Sequence, residues 1–330
     1  MKESKLFAIL PEDYISTPDG MEIHKESGDL VLACPNFADT SMPGCILRID
    51  KDRNIRKWYD VPVCEETGAA HPQGIAFGPD GSLYICDNQG WGDDPKKKEK
   101  GRMLRIIADE EGNITKYVEM ATGMEHPNGV KIWGDYIYVT QSLMPRVKDP
   151  SGKLVSAVYK FHIDDENIKI TNTLEDKNIL VTFITQNPND QYGVDGIEFD
   201  KEGNLYVGNF GDGAISKITF NEDGSIKDNF IWAQDLSQMQ TTDGFTMDDE
   251  GNLYVADFSA NAIAKVTPDG KVERLAQSPD SNGLGGELDQ PGEPRYMDGK
   301  LIISCFDLVV GPTKVNTKHE MPATMAMIEL

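Results

Sequence analysis

One phrase returns six times along this chain: a residue before Gly, an apolar strand, a tight turn, then a second apolar strand. The clearest copies are HPQGIAFGPDGSLYICDN from His71, HPNGVKIWGDYIYVTQS from His126, GVDGIEFDKEGNLYVGNF from Gly193 and TDGFTMDDEGNLYVADF from Thr242. A looser copy, TPDGMEIHKESGDLVLAC, starts at Thr17, and a degenerate one, QPGEPRYMDGKLIISCF, at Gln290. The repeated glycines are Gly20, Gly74, Gly129, Gly196, Gly244 and Gly292. A period of about 50 residues marks a repeat architecture, in which each copy buries its apolar face only against its neighbours. A length of 330 residues would ordinarily point to two domains. The copies run from end to end without a linker, so the expectation is one domain over 1–330.

Each copy carries two hairpin signals. The first is a turn such as GPDG (78–81), DKEGN (200–204) or DDEGN (248–252), set between alternating strands. The second comes later, as DKDRN (50–54), ADEEGN (108–113), DDEN (164–167), NEDG (221–224) and TPDG (267–270). Two hairpins give four antiparallel strands per copy. Six such copies predict an all-β chain, a six-bladed β-propeller. The final MAMIEL resembles a third strand with no fourth after it. The N-terminal KLFAIL can supply that strand, so residues near 5–10 are expected to pair beside residues near 324–329, closing the ring and removing an open sheet edge.

The long connections are 88–100, 142–153, 185–192 and 278–290, and all are expected on the face opposite the hairpin turns. Long irregular loops over a rigid scaffold are where binding concentrates. The lysine run 96–98 within one of them reads as a solvated loop tip. The net charge of −23 repels phosphate backbones and anionic lipid, so neither nucleic acid nor a membrane is an expected partner. The sequence has no long apolar run, and its start lacks the apolar core of a signal peptide, which makes the cytoplasm the expected compartment. Five cysteines, at 34, 45, 64, 86 and 305, form no CxxC pair and read as buried small hydrophobes.

The residue before each repeated glycine opens the innermost strand of its blade, at the mouth of the central channel. In order these are Asp19, Gln73, Asn128, Asp195 and Asp243, with Glu293 the neighbouring candidate in the sixth copy. Asp-Gly and Asn-Gly are also common turn dipeptides, but each copy has its own separate turn seven to ten residues later. Carboxylates and amides gathered at one mouth would repel without a cation. They offer oxygen only, which suits Ca²⁺, or another divalent cation such as Mg²⁺, Mn²⁺ or Zn²⁺. His71 and His126 stand two residues before ring members and are candidates for catalysis or for fixing the entering loop. Tyr192 and Trp91, in loops, are candidates for shaping a pocket.

These residues resemble the family of senescence marker protein, gluconolactonase and luciferin-regenerating enzyme, and more distantly diisopropylfluorophosphatase and paraoxonase. The resemblance rests on HPNGVKIWGDYIYVTQS followed by GVDGIEFDKEGNLYVGNFGDGAISKI, on the long loop after Gln73, and on the GRMLRI strand. It implies a six-bladed propeller with one catalytic divalent cation held by a Glu, one or two Asn and an Asp. Carried over, it gives Asn128 and Asp195 as metal ligands and Gln73 near the substrate; His126 and Tyr192, from their positions alone, are the further candidate substrate contacts. The Glu falls on Glu293 if the chain is shifted by one blade. In the unshifted order Asp19 replaces it, and Asp195 and Asp243 take the places of the family's Asn and Asp. The implied activity is a metal-dependent hydrolase, a lactonase acting on a small-molecule lactone or ester. In it Asp195 first and Asp243 second would activate water or act as nucleophile. A non-enzymatic binding propeller of the NHL type and a metal-free enzyme of the strictosidine synthase type are the alternatives.

Overall fold

Four hairpin turns show how the strands are punctuated. In Asp200–Asn204 the carboxylate of Asp200 accepts the main-chain N–H of Asn204 at 2.8 Å and its side-chain Nδ2 at 2.8 Å. The same pair of bonds recurs at Asp50 and Asn54, Asp109 and Asn113, and Asp248 and Asn252. Just before each of these asparagines the chain must adopt positive φ, which glycine reaches without a steric penalty, as at Gly203 with φ +82°. The first of these turns sets Arg53 there, at φ +63°. The turn is therefore specified by five local residues, and the strands on either side pair because the turn returns them antiparallel.

The structure, a computed structural model, describes residues 1–89, 94–309 and 314–330. The first strand, β1 (Lys5–Ile9), is followed by β2 (Met21–Ile23), β3 (Leu30–Cys34), β4 (Cys45–Ile49) and β5 (Ile55–Asp60), which make blade one. Blade two is β6 (Pro72–Phe77), β7 (Leu83–Asp87), β8 (Gly101–Ala108) and β9 (Ile114–Met124). Blade three is β10 (Pro127–Trp133), β11 (Tyr136–Gln141), β12 (Val155–His162) and β14 (Ile179–Ile184), with the short β13 (Ile168–Lys169) between the last two. Blade four is β15 (Val194–Phe199), β16 (Leu205–Asn209), β17 (Ala214–Phe220) and β18 (Ile226–Gln234). Blade five is β19 (Phe245–Met247), β20 (Leu253–Asp257), β21 (Ala262–Val266) and β22 (Val272–Gln277). Blade six is β23 (Pro291–Met297), β24 (Lys300–Cys305) and β25 (Thr324–Glu329), completed by β1. The fold is a six-bladed β-propeller of four-stranded antiparallel blades, as the repeat predicts. Among the described residues the only helical element is the 3-10 turn Phe210–Asp212, so no described helix is long and apolar enough to cross a membrane.

Closure occurs where the sequence places it. Lys5 pairs with Met327, Leu6 with Ala326, and Ile9 with Thr324, antiparallel. One departure concerns blade three. The DDEN turn at 164–167 leads first to β13, which runs parallel to β9 of blade two, with Ile168 opposite Ala121. Only then does the chain return to β14 as the outer strand. The excursion buries Ile170 against Met120, Ala121 and Met124, apolar surface that a direct hairpin would have left uncovered.

The chain divides into two compact units. One holds Pro18–Thr185 and Tyr192–Val194, and the other Met1–Thr17, Gln186–Gln191 and Asp195–Leu330. In the first unit, cores lie between adjacent blades: Val31, Ile46, Ile75 and Ile85 between blades one and two, and Tyr84, Met103, Val130 and Ile137 between blades two and three. In the second, Ile215, Phe245 and Val255 pack between blades four and five, and Tyr254, Ile263, Leu301 and Ile303 between blades five and six. All five cysteines are free and buried, as expected of small hydrophobes.

Candidate active site

The repeated glycines mark places where blades touch. A β-carbon on Gly20 would meet the carbonyl oxygen of Gln73, one on Gly74 that of Asn128, and one on Gly196 that of Asp243. The main chain of Gln73, Asn128 and Asp243 thus lies against the glycine of the blade before it. None of these glycines has positive φ. They are required by close approach of two backbones, not by a turn, and the residue before each one is thereby fixed at the start of an innermost strand.

In the second unit this places Asp195 and Asp243 side by side on blades four and five. The Asp243 N–H donates to the carbonyl of Ala256 at 3.0 Å, and its Oδ1 accepts the N–H of Gly244 at 3.0 Å. Burial by the surrounding chain pushes the Asp243 carboxyl well above the usual carboxylate range, and the charge of Asp195 pushes it further the same way. The Gly244 N–H works against this, Glu293 adds to it, and Lys314 opposes it. Asp195 is buried, whereas Asp243 and Glu293 are half-buried. Two sequence-predicted carboxylates, Asp195 and Glu293, are therefore close enough to act on a third, Asp243.

Glu293 arrives there by a register the sequence copy did not show. Gly129 donates its N–H to Thr140 Oγ1 at 2.7 Å, and Glu293 donates its N–H to Ser304 Oγ at 3.1 Å. Pro127 pairs with Gln141 and Pro291 with Cys305. His126 and Gln290 both have positive φ, +56° and +51°. Glu293 thus occupies the slot of the repeated glycine, and Gly292 takes the ring position. The assignment of Gly292 as the sixth repeated glycine is corrected by one residue. The physical reason is room on the preceding blade: Gly244, itself without a side chain, faces Glu293, whose Cβ and Cγ would stand 2.9 Å from a β-carbon placed on Gly244.

In the first unit, Asn128 Nδ2 lies 3.4 Å from the hydroxyl of Tyr192, and the ring of His126 meets that of Tyr192 edge-on with centroids 6.3 Å apart. His126 Nδ1 is 3.2 Å from Glu125 Oε1. Three sequence candidates, His126, Asn128 and Tyr192, are thus brought together. Gln73 is buried with its Oε1 accepting from Asn88 Nδ2 at 2.5 Å. Asp19 is buried, its N–H bonded to the carbonyl of Ala33 at 2.9 Å. His71 has a structural part: its Nδ1 lies 2.8 Å from the Pro35 carbonyl, its ring stacks on Phe37, and its N–H donates to Asp87 at 2.6 Å. Burial lowers its pKa. Trp91 lies outside the described residues.

Two buried carboxylates elsewhere are committed to holding strands. Asp87 meets Arg102 at 2.6 Å, and Asp257 accepts from the N–H groups of Gln240 and Thr241.

The sequence reading missed the stretch after β24. Lys314 is almost fully covered, with its Nζ 2.7 Å from Ser259 Oγ, 3.1 Å from Asp190 Oδ2 and over the rings of Phe210 and Phe258. It brings a positive charge toward Asp243. The same stretch carries Asp307 and Glu320, which gather with Asp289 so that their oxygens lie within 4.8 Å of one another. Burial, then Asp307 and Glu320, push the Asp289 carboxyl up to about 8. The stretch has no repeat counterpart; its visible signal is the run of charged and amide residues from Lys314 to Glu320.

No protein-family model matches the chain, and no curated protein matches it. Solved structures do. A gluconolactonase from Xanthomonas campestris superposes with a TM-score of 0.60 at 15% identity, over 100% of this chain and 95% of that one. A luciferin-regenerating enzyme gives 0.62 at 11% identity, over 99% and 95%. A calcium-binding protein, regucalcin, from Agrobacterium tumefaciens gives 0.59 at 10% identity, over 99% and 93%. At such identities the likeness establishes the propeller fold shared with these proteins.

Proposed function

We propose that the chain, working as one domain over 1–330, is a metal-dependent hydrolase of small cyclic esters, a lactonase. The observation that supports this is the grouping of Asp195 and Glu293 around Asp243, whose carboxyl both of their charges push up. The donors are oxygen only, with no thiolate or imidazole among them, and like charges held this close are stabilised by a hard cation. Asp195 and Glu293 would hold the ion, Ca²⁺ first; Asn128 and Asp19 enter the proposal from the repeat alone. When bound, such a cation supplies a Lewis acid for the ester carbonyl and offsets negative charge.

The remaining chemistry falls to side chains of this chain. Asp243, its carboxylate oriented by the Gly244 N–H, takes a proton from the water as its oxygen adds to the ester carbonyl, and returns that proton to the leaving alkoxide oxygen as the acyl C–O bond breaks. Asp195 shares the catalytic assignment as the adjacent carboxylate. Lys314 limits the negative charge around Asp243. Gln73, His126 and Tyr192 are the proposed substrate contacts, and the small-molecule lactone or ester is the proposed partner. The likeness to a gluconolactonase supports the same reading at the level of fold.

The test is a screen of purified protein on small lactones and simple esters, with and without EDTA. The expected result is turnover lost to EDTA and restored by Ca²⁺. Turnover indifferent to EDTA, or no turnover on any ester, overturns it.

A further inference from the structure

Blade six carries a second cluster of oxygens that shares no residue with the site above. Asp289 comes just before β23, while Asp307 and Glu320 stand near the two ends of the connection from β24 to β25, so two loops of one blade meet. Asp289 and Asp307 are each 2% exposed. Each of two carboxylates has one oxygen engaged by the chain. Asp307 Oδ2 accepts the N–H of Glu320 at 2.7 Å and lies 3.1 Å from His319 Nδ1. Glu320 Oε1 lies 2.8 Å from Lys318 Nζ. The opposite oxygens, Asp307 Oδ1 and Glu320 Oε2, are buried and meet no donor.

An independent observation comes from a neutral side chain. Asn316 is 2% exposed, and its Nδ2 donates to Asp289 Oδ1. Its own Oδ1 is buried without a partner. Both amide atoms share one carbon, so an amide held on Asp289 through nitrogen keeps its oxygen beside that carboxylate. Flipping the amide would set oxygen against oxygen, so the carboxylate itself dictates the orientation. Buried polar oxygens are nearly always bonded, and here three of them belong to side chains of one cluster.

We propose that Asp289, Asp307, Glu320 and Asn316 bind a hard divalent cation, Ca²⁺, which ties the loop before β23 to both ends of the β24–β25 connection. Carboxylate and amide oxygens without thiolate are the donor set of Ca²⁺. The outer bonds from His319, Lys318 and the Glu320 N–H orient the carboxylates in the way second-shell groups orient metal ligands. Asn316 stands two residues after Lys314, so an ion here also steadies the segment that delivers that lysine.

The test counts Ca²⁺ bound per chain by equilibrium dialysis of EDTA-treated full-length protein, with melting temperature followed alongside. Asp307→Asn removes one of three crowded charges, and Asn316→Leu removes the amide oxygen at similar volume. Each is expected to lower the count by one, or to weaken that binding at least tenfold, and to shrink the rise in melting temperature with Ca²⁺. Metal-free Asp307→Asn is expected to melt no lower than metal-free wild type, because repulsion is relieved, which separates lost binding from lost folding. Asp195→Asn, in the other site, is expected to leave this ion in place. The proposal is overturned if Asp307→Asn and Asn316→Leu bind as many Ca²⁺ ions as wild type with unchanged affinity. It is equally overturned if folded Asp195→Asn protein binds no Ca²⁺.

Discussion

A β-carbon on Gly74 would run into the main-chain carbonyl oxygen of Asn128 on the next blade. The glycine is the reason blades two and three come close enough to set Asn128 at the head of its strand. The same relation holds between Gly196 and Asp243. It makes the recurring Xaa-Gly pair a packing device first, one that also presents the side chain before it.

Gly74→Ala and Gly196→Ala should therefore each destabilise the fold by about 1–3 kcal/mol, the usual cost of overpacking where backbone cannot move aside. Denaturant midpoints measure this. Gly196→Ala should also disturb Asp243, so its effect on metal affinity should exceed that of Gly74→Ala. Unchanged midpoints for both would mean the blades can separate without cost.

Removing residues 1–10 takes away β1 and with it the partner of β25, together with Leu10, which is 1% exposed and bonded through its N–H to Ala323. An exposed strand edge and an uncovered apolar residue should lower the melting temperature and promote aggregation. Calorimetry and light scattering on the truncated chain check this; an unaltered melting temperature would refute the closure.

Acid stability should depend on Asp80. Burial opposes its charge, but the bond from Arg105 and those from Ser82 prevail and hold the carboxyl down to about 2. An unfolded aspartate titrates near 3.9. The carboxylate therefore contributes stability that is present above about pH 4 and is lost as pH falls through about 2. Asp80→Asn should melt lower than wild type at neutral pH and should show a shallower loss between pH 4 and pH 2. Parallel curves for the two proteins would remove Asp80 from the account.

Calcium should raise the melting temperature and EDTA lower it, since a ligand that binds only the folded chain stabilises it by mass action. Glu293→Gln keeps shape while removing a charge that bears on Asp243. It should weaken the central metal affinity at least as much as Asp19→Asn does. Calorimetric titration decides; an impaired Asp19→Asn beside a normal Glu293→Gln would favour the unshifted order.

Asp243→Asn should reduce turnover of a lactone substrate by about 10²–10⁴-fold, the range for loss of a general base, with a smaller effect on KM. Asp195→Ala should abolish metal binding at the central site, and turnover with it. Steady-state kinetics with metal affinity measured in parallel separate the two roles, and an active Asp243→Asn would remove it as the base.

The sequence by itself determined the blade count, the strand pairs and the closing strand, because each rests on short-range causes. An Asp bonded to an Asn four residues on makes a turn wherever it occurs, and alternating apolar residues around it make a hairpin. It also determined that Asp195 and Asp243 head inner strands, because the glycine after each is required by close packing. Tertiary structure alone decided that Glu293 fills a glycine slot, since that depends on the side-chain-free Gly244 facing it from another blade. It alone decided that β13 crosses to a neighbouring blade, that Lys314 reaches toward Asp243, and that Asp289, Asp307 and Glu320 meet. Those residues lie in connections without periodicity, and their positions follow from which surfaces the blades leave to cover, which no local pattern encodes.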